Sequence, residues 1–427
     1  MSRYNAPLVF ILLFLFYGCS TKEPTSMIGK KTFQNEDVLI LKALEYQREK
    51  QYDNALETYK ILYEKSHKVN YLEEEARLSF LSNNQARTLD ILNRAIEKYP
   101  NNILFKRLKS GYYMKTKAYS KAEKLALEIL KRERNAENLS LLGDIYFLEK
   151  SYNLSLKYYE SAFKTNESEN LLLNMVNLLY KFLDRKKEAI SYLETYIRMK
   201  DASEHVYFAL VRIYGQEKNI DGLISTYEEL YTKFKKDEYG KKAIELLIYK
   251  KDKQAAIKFL EESDYNPQML LDLYTSNKDY KNAYRIAQSL YKKTNNIDFL
   301  AKMAIFEYEK NKNHLNPKIL NSISNKFETV IEKFHDPVYL NYYGYLLIDH
   351  DLNIKKGIKL VKLALESDKN SPFYLDSLAW GYYKLDECRK ALEVMKKIIN
   401  ETNEPEVLLH YKMIQQCLNQ KNSKEKQ

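Results

Sequence analysis

Glycine and proline are scarce in this 427-residue chain, which holds ten of the first and eight of the second. So few chain breakers suit long helices. No stretch alternates as a strand would, and without a strand there is no place for the Gly-rich loop that follows one to cradle a phosphate. No apolar run reaches the ~20 residues that a membrane-crossing helix needs, because the longest stops after about a dozen. That run lies between Ala6 and Tyr17. A block of one charge sign is also missing. The 69 basic and 58 acidic residues give a net charge of +11, yet they are interspersed, and even the cluster from Lys233 to Lys242 contains Asp237 and Glu238. Such mixing reads as solvated helix faces and argues against nucleic acid as the main partner.

Catalytic and metal-binding patterns are absent in the same way. None of His67, His205, His314, His335, His350 and His410 has the HExxH spacing of a zinc hydrolase. His350 between Asp349 and Asp351 is the one local gathering of ligand types. It falls in a helix-to-helix turn, where aspartate is common because its side chain bonds the backbone. The sequence therefore predicts no enzyme, no metal and no cofactor.

What is present is an interval. Ala43, Ala76, Ser110, Gly143, Asn177 and Val211 are spaced by 33 or 34 residues, and Ala55, Thr88, Ala122, Ser155, Ala189 and Leu223 follow each of them by twelve. Small residues at paired positions let two helices cross at close range. An aromatic follows the first position by three at Tyr46, Tyr113, Tyr146, Tyr180 and Tyr214. A large residue follows the second by four at Tyr59, Leu92, Tyr159, Leu193 and Tyr227. Offsets of three and four share a helical face, so most of the 38 tyrosines are expected to be core wedges with hydroxyls reaching water at the edge.

The stretches NLSLLGDIYFLEKSYNLSLKYYESAF from Asn138 and FYLDSLAWGYYKLDECRKALEVMKKI from Phe373 resemble the tetratricopeptide repeat. Pro100, Pro337, Pro372 and Pro405 punctuate the array. The resemblance runs from about Glu36 to Leu418 and implies an all-α, right-handed superhelical solenoid of helical hairpins with a capping C-terminal helix. It also implies a protein or peptide partner held on the concave face by first-helix residues. Those are Arg77, Phe80, Lys115, Phe147, Lys181, Phe182, Arg212, Tyr345, Trp380 and Tyr383. Some members of the family grip C-terminal carboxylates with a fixed Lys, Asn and Arg set. Asn174 and Lys181 share a repeat here while Arg107 and Arg212 lie on others, which does not complete it.

The head of the chain differs. Arg3, the apolar run and then Gly18 and Cys19 have a signal peptide's layout. Phe16 to Cys19 resembles the lipobox of bacterial lipoproteins, although the family prefers leucine and a small residue where Phe16 and Tyr17 stand. The expected organisation is a signal peptide over 1–18, a lipidated tether over 19–35 beginning at Cys19, and a repeat array over 36–239. Degenerate repeats follow over 240–336 with an insertion at 311–317, then a C-terminal repeat pair and capping helix over 337–427. Ser20 after Cys19 lacks the aspartate of the inner-membrane retention signal and favours an outer-membrane anchor facing the periplasm. Cys388 and Cys417 are candidates for a disulfide, which requires their Cα atoms to lie ~4.4 to 6.8 Å apart.

The function expected from these features is an anchored periplasmic scaffold for envelope assembly or secretion. A periplasmic enzyme, or an adaptor that recruits a cell-wall hydrolase, is the alternative.

Overall fold

The computed structural model describes residues 31–82 and 84–424, so Cys19, the signal peptide and most of the tether lie outside it. Among the described residues there are 23 helices and no strand. They divide into two compact units, one ending at Thr226 and one beginning at Tyr227.

The first unit contains α1 (Glu36–Arg48), α2 (Tyr52–Ser66), α3 (Val69–Ser79), α4 (Gln85–Lys98), α5 (Ile103–Lys115) and α6 (Tyr119–Arg132). It continues with α7 (Ala136–Leu148), α8 (Tyr152–Thr165), α9 (Glu169–Lys181), α10 (Lys186–Met199) and α11 (Glu204–Gln216). The boundary falls within α12 (Ile220–Phe234). From α1 to α11 each helix packs on the next, and the first helices α3 and α5, and α9 and α11, also touch. This is the helical-hairpin solenoid that the interval predicts.

Its crossings explain the small residues. Ala43, Ala55, Ala76, Ser110, Ala122, Ser155 and Ala189 are all completely buried. The hydroxyls among them bond the facing helix, Ser110 Oγ donating to the Ala122 carbonyl at 3.1 Å and Ser155 Oγ to that of Gly143 at 2.8 Å. A Cβ at Gly143 would lie 2.7 Å from the Tyr159 ring, so the glycine is kept for space. None of the described glycines has a positive φ. The left-handed residue at the turn inside a hairpin is instead Lys50, Lys117, Lys150, Asp184 or Lys218. Several helix starts are capped by asparagine, as at Asn102, Asn135 and Asn316, whose side chains accept backbone N–H bonds that would otherwise be orphaned.

The fifth repeat corrects the sequence register. Val176 and Leu179 are buried at the crossing, while Asn177 and Tyr180 stand one place outward. The extra residue is taken up in the turn after α9, where Leu183 N bonds Leu178 O and Arg185 N bonds Leu179 O. Intervals counted on sequence alone hide such a slip, because the gain in one turn restores the next match.

The second unit contains α13 (Asp237–Lys250), α14 (Lys253–Ser263), α15 (Pro267–Ser276), α16 (Tyr280–Thr294), α17 (Ile297–Asn311) and α18 (Pro317–Lys333). After these come α19 (Pro337–Asp349), α20 (Ile354–Ser367), α21 (Pro372–Lys384), α22 (Cys388–Met395) and α23 (Pro405–Lys424). Neighbours in this series pack on one another as in the first unit. Hairpins persist through 240–336, but the equivalent positions Ile244, Leu271, Ala304, Gly344 and Ala379 are spaced by 27, 33, 40 and 35 residues. The cause is helix length: α14 and α15 have 11 and 10 residues, whereas α18 has 17. Asn311 ends α17 and Pro317 opens α18, so the Asn-rich insertion is a short connection between them.

Candidate partner-binding face

In the first unit the expected face offers two groups, three exposed cations and an aromatic pair of which Phe182 is exposed and Phe147 half-buried. Lys115 ends α5, Lys181 ends α9 and Arg212 lies in α11, all exposed, and among the described residues none of the three pairs with a carboxylate. Phe147 near the end of α7 and Phe182 after α9 meet edge-on with ring centres 5.1 Å apart. Tyr152, which sequence reasoning did not select, joins them at the start of α8 and lies 4.7 Å from Phe182. Phe182 keeps 39% of its surface exposed, so this aromatic cluster reaches solvent beside Lys181. Arg77 is half-buried and faces Glu74 at 3.6 Å.

Phe80 departs from expectation. It is 8% exposed and belongs to the core of the first repeats, because the chain turns at Phe80 directly after α3 and tucks the ring inward. Arg107, a member of the incomplete carboxylate set, is occupied: its Nε donates to Asn138 Oδ1 and its guanidinium pairs with Glu137, each at 2.7 Å.

Tyrosine hydroxyls depart as well. Where they were expected to reach water, many donate across helices to a carboxylate. Tyr146 reaches Glu123 at 2.6 Å, Tyr159 reaches Asp144 at 2.5 Å and Tyr274 reaches Glu261 at 2.5 Å. Tyr214 with Glu194 and Tyr343 with Glu328 repeat the pairing. Where the carboxylate is ionised the bond is charge-assisted and stronger than a neutral one, which gives tyrosine an advantage over phenylalanine at those sites.

Asp144 sits one place beyond Gly143 on α7. Burial pushes its carboxyl up to about 7, and the Tyr159 hydrogen bond only partly offsets this. The native state therefore holds a proton between about pH 4 and 7 that the unfolded chain releases, and stability falls as pH rises through that window. Asp144→Asn keeps an acceptor for Tyr159 and carries no charge. We expect it to flatten the pH dependence and raise stability at pH 7.5 by roughly 1–2 kcal/mol, the order of an imperfectly solvated carboxylate. Denaturant titrations of both proteins at pH 4.5 and 7.5 measure this; a parallel pair of pH profiles would contradict it.

In the second unit Tyr345, Trp380 and Tyr383 come together, but around residues the sequence reading passed over. Trp380 is 6% exposed, which corrects its placement on an open face. Its indole stacks on His410 at 4.0 Å and on Tyr383 at 4.7 Å, and its Nε1 donates to Asp349 at 3.0 Å. His410 comes from α23 and meets both carboxylate oxygens of Asp376 through Nδ1 at 3.0 Å. Tyr345 donates to Glu406 at 2.5 Å, also from α23. The capping helix thus covers these residues. His410 and Asp376 are 34 positions apart with no motif between them, so only the packing of α21 with α23 reveals the pair.

Within the Asp349, His350 and Asp351 group, His350 Nε2 lies 3.9 Å from Asp349 Oδ2, but the three side chains turn to different partners. Asp349 accepts from Trp380, Asp351 pairs with Lys384 at 2.9 Å, and His350 Nε2 lies 3.3 Å from the Tyr308 hydroxyl. Cys388 and Cys417 do meet, with Cα atoms 6.0 Å apart, and are joined as a disulfide that links the start of α22 to α23.

No family model and no curated protein matches the sequence. Similar solved structures include the APC/C hetero-tetramer Cut9-Hcn1, at 12% identity with 93% of this chain and 92% of that chain covered and a TM-score of 0.35. Pseudomonas aeruginosa pilF matches at 17% identity over 46% of this chain and 91% of its own, with a TM-score of 0.37. A tetratricopeptide repeat protein from Parabacteroides merdae gives 15%, 57% and 98%, also at 0.37. With TM-scores this far below 0.5, the overlaps transfer neither partner nor function, and the fold rests on the helices described above.

Proposed function

We propose that this chain is an outer-membrane lipoprotein whose helical hairpins serve as a periplasmic scaffold for protein partners in an envelope machine. Outer-membrane protein assembly, polysaccharide export, and pilus or flagellar assembly are the classes of machine it would suit. The observation that carries the binding role is the exposed combination of Lys115, Lys181 and Arg212, free of carboxylate partners, with the Phe147, Tyr152 and Phe182 cluster. Unpaired cations, one of them the chain neighbour of Phe182, together with an aromatic cluster suit a peptide that offers acidic groups and an aromatic or aliphatic anchor. Support for the location comes from sequence alone, in the order Arg3, apolar run, Gly18, Cys19. Labelling with a radioactive fatty acid tests it. Wild type should be labelled and sediment with outer membranes, and Cys19→Ala should lose both properties almost completely; equal labelling of the two would end the lipoprotein reading.

A further inference from the structure

The turn between α21 and α22 brings three ligand types together. Asp386 adopts a left-handed backbone, φ 62°, with its N–H bonded to Tyr383 O at 2.9 Å. That conformation folds its carboxylate back over the start of α22. Oδ1 lies 3.8 Å from Cys388 Sγ and 3.8 Å from Cys417 Sγ, and all three ligand atoms fall within 4.8 Å of one another. A tetrahedral zinc ion with Zn–S near ~2.3 Å and Zn–O near ~2.1 Å has ligand-to-ligand edges of roughly 3.6–3.8 Å. The two sulfur-to-oxygen distances already match that figure. Only the sulfurs must move, from a bond of ~2.05 Å to about 3.8 Å, which side-chain rotation supplies without moving Cα atoms 6.0 Å apart. The other carboxylate oxygen of Asp386 is held at 2.6 Å by Lys421 of α23, which leaves Oδ1 aimed at the sulfurs. Cys388 is 1% exposed and opens a helix, where peptide dipoles favour an anionic sulfur.

We propose that Cys388, Cys417 and Asp386 form a redox-gated zinc site, in which the reduced thiols and the carboxylate bind one Zn²⁺ with water as the fourth ligand. A dithiol reductant delivers two electrons and two protons. The Cys388–Cys417 bond breaks, two thiols form and the reductant becomes a disulfide. On metal binding each thiol passes its proton to solvent. The ion then takes the place of the disulfide in fastening α23 over Trp380 and Asp376, so the cap stays closed in either redox state and opens only when thiols are reduced and metal is withheld.

The test uses the full chain with Co²⁺ as the spectroscopic probe and Zn²⁺ as competitor. After reduction by a phosphine, Co²⁺ should give a sulfur-to-metal charge-transfer band saturating at one equivalent and abolished by Zn²⁺, while the oxidised chain gives none. Cys417→Ser should lose the band, and Asp386→Asn should weaken the affinity by at least about tenfold. Zn²⁺ should also raise the Tm of the reduced chain and leave that of the oxidised chain unchanged. No band from the reduced chain, whether α23 remains docked or not, would overturn the proposal. So would a band that survives Cys417→Ser, an affinity unchanged in Asp386→Asn, or an equal Tm shift in both redox states.

Discussion

Trp380→Ala is expected to destabilise the second unit by about 3–5 kcal/mol, the range for removing a buried large aromatic side chain. The indole is the centre of the cap interface, stacked between His410 and Tyr383 and bonded to Asp349. Its loss leaves a void under α23 and an Asp349 acceptor without its donor. It also removes the ring against which His410 is held while that histidine meets Asp376. Trp380→Phe retains much of the stacking and loses the N–H bond, so a cost nearer 1–2 kcal/mol should follow. Chemical denaturation followed by circular dichroism separates the two variants. Near-equal costs would mean that the indole bond, rather than the packed ring, dominates the interface. Because the chain has only this tryptophan, its fluorescence in the wild type also reports whether α23 is docked.

Gly357→Leu is expected to cost about 3 kcal/mol or more. A Cβ at Gly357 would stand 2.6 Å from the Gly344 carbonyl oxygen, and one at Gly344 would stand 2.9 Å from that of Gly357. Backbone faces backbone here, so neither partner can rotate away. Helices α19 and α20 would have to separate, and overpacking of that kind lies at the upper end of its usual cost. Gly215 in α11 is the internal control, with no atom within 4 Å of its built Cβ. Gly215→Ala should stabilise by about 0.5–1 kcal/mol through helix propensity. If both substitutions shifted denaturation midpoints in the same direction, close approach would not be the reason for glycine at 357.

These two sites show which parts of the structure sequence could reveal. Gly344 and Ala379, like Gly143 and Ser155 earlier, are visible because a close crossing demands a small side chain at a fixed helical offset. Hairpin architecture follows from that demand alone. Asn177 and Tyr180 were misplaced by one because turn length varies without leaving a mark on composition. The stretch from 240 to 336 lost its rhythm because α14 and α15 are short and α18 is long, although every helix still pairs.

The candidate face was less legible. Phe80 and Trp380 occupy positions that a regular repeat would expose, yet a chain turn buries the first and a capping helix buries the second. Tyr152, Asp376 and His410 join their clusters through tertiary packing, which no local pattern records. Lys115 and Lys181 end their first helices and Arg212 lies within one, and the register alone is enough to place all three at the surface, where they are exposed.

The most direct test of the scaffold account is site-specific photocrosslinking in intact cells. A crosslinker replacing Lys181, beside the aromatic cluster, should yield a discrete protein adduct several-fold stronger than one replacing Lys164, which is exposed on the second helix α8. Adding Lys115→Glu and Arg212→Glu should reduce that adduct by at least about tenfold, since reversing charge at a contact costs more than removing it. Equal adducts from positions 181 and 164, or an adduct at 181 unaffected by the two reversals, would contradict the claim that this face receives the partner.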